Sequence, residues 1–562
     1  MLATILKSKR ATAATFTIIE TFAKVRGLKR ELVELHKEGD KRKQADTLVS
    51  RRWALPKSRA SRSRHFPPRI FCRENKASRC AISKILPVAN ATYRIFDIIQ
   101  NTWQKRQSGM SFLLSSKETG GAVEMTFSMK VAKMERTICE LFAGVGGFRL
   151  GFERDNRDWR TTWFSQWEPG KSKQWAHDCY LAHFGPSFDL DGKLTTNIDI
   201  AQVDKAKIPN HNLLVGGFPC QDYSVARPLP GAQGIEGKKG VLWWQIRDTL
   251  EAKGAAFGLF ENVDRLLKSP ASKRGRDFGI ILACLNGLGY SAEWRVVNAA
   301  DYGAAQRRRR TFIFAYKNTT QYAQRLPYDP WQTIRTFGLF AKAFPAEEKW
   351  TGVSETVLPL ARTQEELHAV SETFEFNFEN AGLMRNGMIF TAKVEAVKRP
   401  PIPLREILEH NVGFQYYIDE CDGKWQRLKG AKKIERTAKN GHTYIFSEGA
   451  IAFPDSIDMP ARTMLTSESS LNRSTHVIID PETGRMRLLT PNEADRIQGF
   501  VLPGEMRDRH GNEKGWTDAH LPGRPQMPEK FRYFCMGNAL VVPMITQIAR
   551  VLRQIMDSEP ER

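Results

Sequence analysis

The chain has 562 residues, enough for two or three domains that each bury a core. No apolar run approaches the roughly 20 residues of a membrane helix, which excludes such a span. Its eight cysteines lack zinc-ligand spacing, which argues against a metal-binding ribbon or a disulfide framework and favours a reducing, cytoplasmic setting.

The net charge of +23 is unevenly placed. Residues 1–133 hold 28 Lys and Arg against 10 Asp and Glu, a net +18; residues 134–562 hold 57 against 52, a net +5. The first segment contains Lys41-Arg42-Lys43 and RRWALPKSRASRSRHFPPR, with little sustained periodicity. It is expected to be a disordered basic extension. Its first nineteen residues lack acids and faintly resemble an organelle transit peptide, on only three basic residues. Met125, Met129 and Met134 precede the first well-patterned strand, so translation starting at one of them would leave the upstream segment unmade.

From Met134 short apolar runs alternate with amphipathic stretches. Strands are predicted over Thr137–Phe142, Thr161–Ser165, Leu213–Val215, Ala256–Phe260, Trp294–Asn298 and Thr311–Tyr316. Helical patterns between them predict an α/β domain over 134–316 built on a mostly parallel sheet. Residues 317–486 lose the alternation and contain KRPPIPL, so they are assigned to a second, smaller irregular domain. The remainder, 487–562, opens on LLTPNEADRIQGF. There Thr490 suits an N-cap, Pro491 the first helical position, Glu493 the capping-box partner and Gly499 the stop, predicting a two-turn helix.

In CELFAGVGGFRLGFE, a strand runs into a turn with Gly144, Gly146 and Gly147 and then a helix whose first N–H groups are unpaired. A dinucleotide fingerprint would need glycine or alanine at 149, where Arg149 stands. Glu168 follows at the end of the next strand, where a carboxylate can accept both hydroxyls of a ribose. Together they point to a nucleoside cofactor.

In GGFPCQDYS, Cys220 follows Pro219, whose fixed φ stiffens the turn and aims the thiol. A buried cysteine is usually a small hydrophobe. This one lies in a polar loop at the carboxyl end of a strand, and Glu261 of FENV lies at another such end. A nucleophile and an acid facing one pocket suit covalent catalysis, although Glu261 alone could equally cap a helix. In QRRRR, Gln306, Arg308 and Arg310 share one side of an extended chain, and an arginine fork suits phosphate or a base carbonyl.

The order and spacing of FAGVGG, Glu168, Asp199-Ile200, FPCQDYS, GVLWW, FENV, QRRRR, LLTPNEADRIQGF and GNALVVP resemble the cytosine-5 DNA methyltransferase family of restriction-modification systems, across residues 135–552. RTMLTSESSLNRSTHVI also looks like the stretch closing that family's target-recognition domain. The resemblance implies a Rossmann-like S-adenosylmethionine-dependent fold with a smaller target-recognition domain and a C-terminal segment that returns to the catalytic domain. It implies that Cys220 adds to carbon 6 of a flipped cytosine while Glu261 protonates ring nitrogen 3 and Arg308 and Arg310 hold the base carbonyl. It implies that Phe142, Gly144, Gly146, Gly147, Glu168, Asp199, Pro219, Leu242 and Asn538 hold the cofactor, with no metal. Trp167 and Pro169 flank Glu168 where many relatives carry an apolar or aromatic residue after the acid, leaving open which side chain covers the second face of the adenine. Duplex DNA is the implied partner, with a separate endonuclease and a monomeric enzyme expected. A tRNA substrate and a catalytically inactive DNA-binding regulator remain as alternatives.

Overall fold

The computed structural model describes residues 110–119, 122–131, 133–218, 241–270, 272–418, 423–437, 441, 443–468 and 470–561. Strands β1 (Met110–Thr119) and β2 (Ala122–Val131) pair antiparallel from Met110↔Val131 to Thr119↔Ala122. This part of the basic extension is therefore a hairpin, not the structureless chain expected. The cue was present in Val123, Met125, Phe127 and Met129, which alternate with Glu124, Thr126, Ser128 and Lys130 at the strand period. The rest of the extension, residues 1–109, lies outside the described residues.

The next elements are β3 (Thr137–Leu141), α1 (Gly147–Asp155), β4 (Arg160–Ser165), α2 (Trp175–Phe184), β5 (Leu213–Gly217), α3 (Val241–Lys253), β6 (Phe257–Val263), α4 (Arg276–Gly287), β7 (Tyr290–Asn298) and β8 (Arg309–Lys317). All six predicted strands are present. They form a nine-stranded sheet with β9 (Thr351–Val357), β10 (Ala381–Arg385) and β11 (Met388–Lys393), in the order β4-β3-β5-β6-β8-β7-β10-β11-β9. The pairings β4-β3, β3-β5 and β5-β6 are parallel and the other five antiparallel. Six strands thus point one way and only β8, β9 and β10 the other, the mostly parallel α/β sheet of a Rossmann-like domain.

Within 317–486, the stretch expected to be irregular, β9, β10 and β11 instead extend the sheet, because the buried faces of β10 and β11 carry Leu383, Met384, Ile389 and Ala392 into its core. The irregular region that remains begins after β11.

Strand alternation divides the core. Leu213, Val215, Phe257, Leu259, Phe312 and Phe314 face one cluster, which holds Phe148 and Phe152 of α1 and Ile545 and Ile548. Leu214, Phe260, Ile313 and Ala315 face the other, with Trp243 and Ile246 of α3 and Phe278 and Ile281 of α4. Helix α5 (Gln364–Thr373) joins the second cluster through Leu367 and Val370.

Two small hairpins follow: β12 (Lys432–Thr437) with β13 (Thr443–Glu448), and β14 (Val477–Ile479) with β15 (Met486–Leu488). The chain ends in α6 (Pro491–Ile497), α7 (Glu529–Asn538) and α8 (Val542–Asp557). Helix α6 has the predicted capping box: Glu493 N–H donates to Thr490 Oγ1 at 3.1 Å and Thr490 N–H to Glu493 Oε2 at 2.8 Å. Gly499 follows at φ +73. Helix α8 lies on α1 so closely that a Cβ at Gly151 would stand 2.5 Å from that of Ile545.

Candidate active site

The site lies at the carboxyl ends of β3, β4, β5 and β6, the edge where parallel α/β sheets keep their ligands. After β3 the chain turns through Phe142 and Gly144, both at φ +57, and Gly146 at φ +90. Left-handed geometry strains a phenylalanine by roughly 1–3 kcal/mol, a cost characteristic of functional loops. A Cβ at Gly144 would meet nothing within 4 Å, so backbone there is open to a ligand. Its N–H donates to Gln166 Oε1 at 2.7 Å, which ties the turn to the end of β4.

Gly146 and Gly147 do different work. A Cβ at Gly146 would stand 2.4 Å from the Phe184 ring, and one at Gly147 3.2 Å from Leu540 and Phe500. These glycines therefore admit packing partners, while Gly144 faces open space. The C-terminal segment closes on the same turn: Trp516 Nε1 donates to the Val145 carbonyl at 2.9 Å, and its ring stacks on His183 with centroids 3.5 Å apart.

Glu168 lies beyond β4 with its carboxylate at the start of α2, where Oε2 accepts the Ala176 N–H at 3.4 Å. Burial raises its pKa, opposed by the Ala176 and Trp175 N–H groups. Burial, and after it the charges of Glu168 and Asp495, push the Cys535 thiol up. Asp199 caps a short 3-10 turn, Oδ1 accepting the Ala201 N–H at 3.0 Å. Phe142 and Leu242 are half-buried against one core cluster. Asn538 is exposed at the end of α7. Trp167 is 38% exposed.

On β6, Glu261 is buried and is the register partner of Gly217. Phe312 is its partner on β8, which makes Arg310 a diagonal neighbour on the same face. Arg310 Nε lies 2.8 Å from Glu261 Oε1 but off the line of a hydrogen bond, so the contact is an ion pair. Burial raises the Glu261 pKa, while Arg310 and then Arg308 hold it back. Asn262 turns the other way and donates from Nδ2 to the Phe218 carbonyl at 2.9 Å. It thereby holds the backbone that leads into Pro219 and Cys220. Those two residues lie outside the described residues.

Arg308, expected to help Arg310 hold the base carbonyl and orient neighbouring groups, is bound to main chain. It is 1% exposed and spans two main-chain acceptors, Nη1 donating to Met464 O at 3.0 Å and Nη2 to Gly537 O at 2.9 Å. Burial, with Arg310 nearby, lowers its pKa to about 9. Each Nη thus bonds one carbonyl, while Nε is buried with no hydrogen-bond partner among the described residues. Gln306 is likewise buried and accepts the Met464 N–H at 3.3 Å, whereas Arg307 and Arg309 are exposed.

Gln166, Asn262, Met464 and Trp516 were not singled out in the sequence. Asn262 carried a signal as part of FENV, and Met464 lies within RTMLTSESSLNRSTHVI; Gln166 and Trp516 act through contacts with chain distant in sequence.

A family model described as C-5 cytosine-specific DNA methylase matches residues 136–554. The chain is 47% identical over 425 residues to Type II methyltransferase M.Sau3AI of Staphylococcus aureus, a match covering 74% of this chain and 95% of that protein. It is 35% identical over 187 residues to Type II methyltransferase M.NgoBI of Neisseria gonorrhoeae, covering 33% of this chain and 51% of that one. The crystal structure of the S. pombe Dnmt2 methyltransferase aligns at 14% identity and a TM-score of 0.44, over 74% of this chain and 98% of that one.

Proposed function

The chain belongs to the C-5 cytosine-specific DNA methylase family and is a DNA cytosine-5-methyltransferase; we propose that it modifies a flipped cytosine at a specific duplex site through a covalent adduct of Cys220. The observation that carries this reading is the alignment of Glu261 with Gly217, three residues before Cys220, with Arg310 paired to the carboxylate. Cytosine carbon 5 is too weak a nucleophile to accept a methyl group unaided. Addition of the Cys220 thiolate to carbon 6, with transfer of the Glu261 proton to nitrogen 3, makes carbon 5 an enamine carbon. The raised pKa of Glu261 suits it to hold that proton. Arg310 keeps the rise in check and presents its remaining N–H groups to the base carbonyl. After methylation, loss of the carbon 5 proton and expulsion of the thiolate restore the aromatic ring.

The open backbone at Gly144, the half-buried Phe142 and the carboxylate of Glu168 fit S-adenosylmethionine. Gly144, Gly146, Gly147, Phe142, Glu168, Asp199, Pro219, Leu242 and Asn538 would hold it. When bound it supplies the methyl group. Arg308 orders the Met464 and Gly537 backbones on either side of this centre.

The irregular region after β11 reads the target and offsets the few kcal/mol that flipping costs. A Type II modification role, with an endonuclease acting separately and a monomeric enzyme in a prokaryotic cytoplasm, completes the reading. Bisulfite sequencing of DNA from expressing cells tests it: methylation confined to one sequence context supports it. Labelled methyl groups entering tRNA and not duplex DNA, or entering neither, would overturn it.

A further inference from the structure

We propose that the β12–β13 hairpin is a ribbon that enters the major groove of the target duplex, with Arg436 reading a base edge. This rests on the methyltransferase reading above and names the element that recognises the substrate.

The two strands pair in unbroken register from Lys432↔Glu448 to Thr437↔Thr443. A lone two-stranded hairpin is marginal in water without a covered face. Here both faces are open: Ile434 is 44% exposed, Tyr444 42% and Ile445 70%. Something outside the described residues is needed to cover them.

The charges indicate what. Alternation puts Ile434, Arg436, Tyr444 and Phe446 on one face. The Arg436 guanidinium lies over the Phe446 ring, 3.8 Å from its centroid. Stacking fixes the plane of the fork and leaves its N–H edge available, the arrangement for bidentate contact with guanine O6 and N7. Among the described residues, no carboxylate pairs with Arg436, Lys432 or Lys433. Of the two acids on the strands, Glu448 is turned toward Arg473 at 3.6 Å. An apolar protein partner would have no use for three unpaired cations. A duplex uses them all, phosphates taking the lysines and a base edge the arginine, and a two-stranded ribbon fits the width of the major groove.

The base of the hairpin is firmly held. Arg473 donates to the carbonyls of Leu428 at 3.2 Å, Gly430 at 2.5 Å and Gly449, thereby gripping the chain just before β12 and just after β13. Beside it, Lys429 is buried and donates to Thr475 O at 2.5 Å. Arg473 belongs to the segment that reaches the catalytic wall at Met464, where Arg308 takes the carbonyl. Recognition at the ribbon and positioning of the reacting base would therefore share one stretch of backbone.

The test uses the full chain and a pool of short duplexes with a randomised centre, methylated with S-adenosylmethionine and read by bisulfite sequencing. Wild type should yield one consensus. Arg436→Ala should loosen that consensus at one base pair, with discrimination there falling about ten- to hundred-fold. Lys432→Ala/Lys433→Ala should slow methylation of all sequences alike and reduce the salt dependence of binding by about one unit of log-log slope per lysine, leaving the consensus unchanged. Variants are compared only where their thermal melting matches wild type; if Arg436→Ala does not match, Arg436→Lys, which keeps charge and loses the fork, gives the same comparison. An unchanged consensus and rate in these variants would overturn the proposal, including the case where the hairpin serves a protein partner. No methylation by wild type would instead sink the methyltransferase reading itself.

Discussion

Gly217 and Glu261 are register partners on adjacent parallel strands, and a Cβ on Gly217 would stand 3.3 Å from Glu261 Oε2. Any larger residue there would press on the carboxylate from the side that leads to Cys220. The glycine leaves that side clear, and the chain reaches the thiol three residues later.

Glu261→Gln keeps the shape of the side chain and removes its proton chemistry. Methyl transfer from labelled S-adenosylmethionine to duplex DNA should fall by about 10²- to 10⁴-fold, the range for a lost general acid, with little change in melting temperature. Cys220→Ala should abolish both methylation and covalent trapping on 5-fluorocytosine DNA. Trapping by Cys220→Ala at the wild-type level would end the proposed mechanism.

Arg308→Ala removes two charged hydrogen bonds and leaves the Met464 and Gly537 carbonyls without that donor. A loss of about 2–5 kcal/mol in unfolding free energy is expected. Because Gly537 adjoins Asn538, weaker cofactor binding should accompany it. Calorimetry of S-adenosylmethionine binding, beside a denaturant melt, measures both.

The glycines of the FAGVGG turn should separate by phenotype. Gly144→Ala adds a methyl group into open space, so the fold should lose only about 1–2 kcal/mol from its positive φ while cofactor affinity drops. Gly146→Ala drives a Cβ into the Phe184 ring and should destabilise the protein outright. Equal effects of the two on melting temperature would contradict this division.

Two buried carboxyls away from the reacting centre make stability depend on pH. Burial raises Glu140, which accepts from Tyr180 Oη at 3.0 Å, and Glu293, which accepts from Tyr322 Oη at 2.6 Å, to about 7 each. Both are protonated in the folded state at pH values where the unfolded chain has ionised them. Their contribution is therefore complete below the ordinary carboxyl pKa of about 4.3 and is lost as pH rises through about 7. Melting temperature should fall between about pH 5 and about pH 8, and Glu140→Gln should flatten part of that fall. A slope identical to wild type would remove Glu140 from the account.

Much of the fold was legible because its signals are local. Six strands of the sheet, the turn at Gly144 and the capping box at Thr490 and Glu493 are each written within a few consecutive residues. Strands β9 to β11 are not legible in the sequence: Thr351–Val357 is almost wholly exposed and lacks a clean apolar face, and β10 joins the sheet by pairing with β7 and β11 by pairing with β10 and β9. Hairpin β1–β2 was missed because the basic composition around it masked a clear period of two.

By itself the sequence determined the types of chemical group and their order along the chain: a glycine turn, an acid after β4, a Pro-Cys loop, a second acid and a series of spaced arginines. Side-chain alternation could bring Arg308 and Arg310 to one side, but could not separate their tasks. Tertiary structure decided that Arg310 meets Glu261 while Arg308 bonds two carbonyls, and that Trp516 ties down a loop 371 residues earlier in the chain. The physical reason is that periodicity and capping act over one or two turns of backbone. The partner of a buried arginine or indole N–H is set by whichever acceptor the packed core leaves unsatisfied nearby, however distant in sequence.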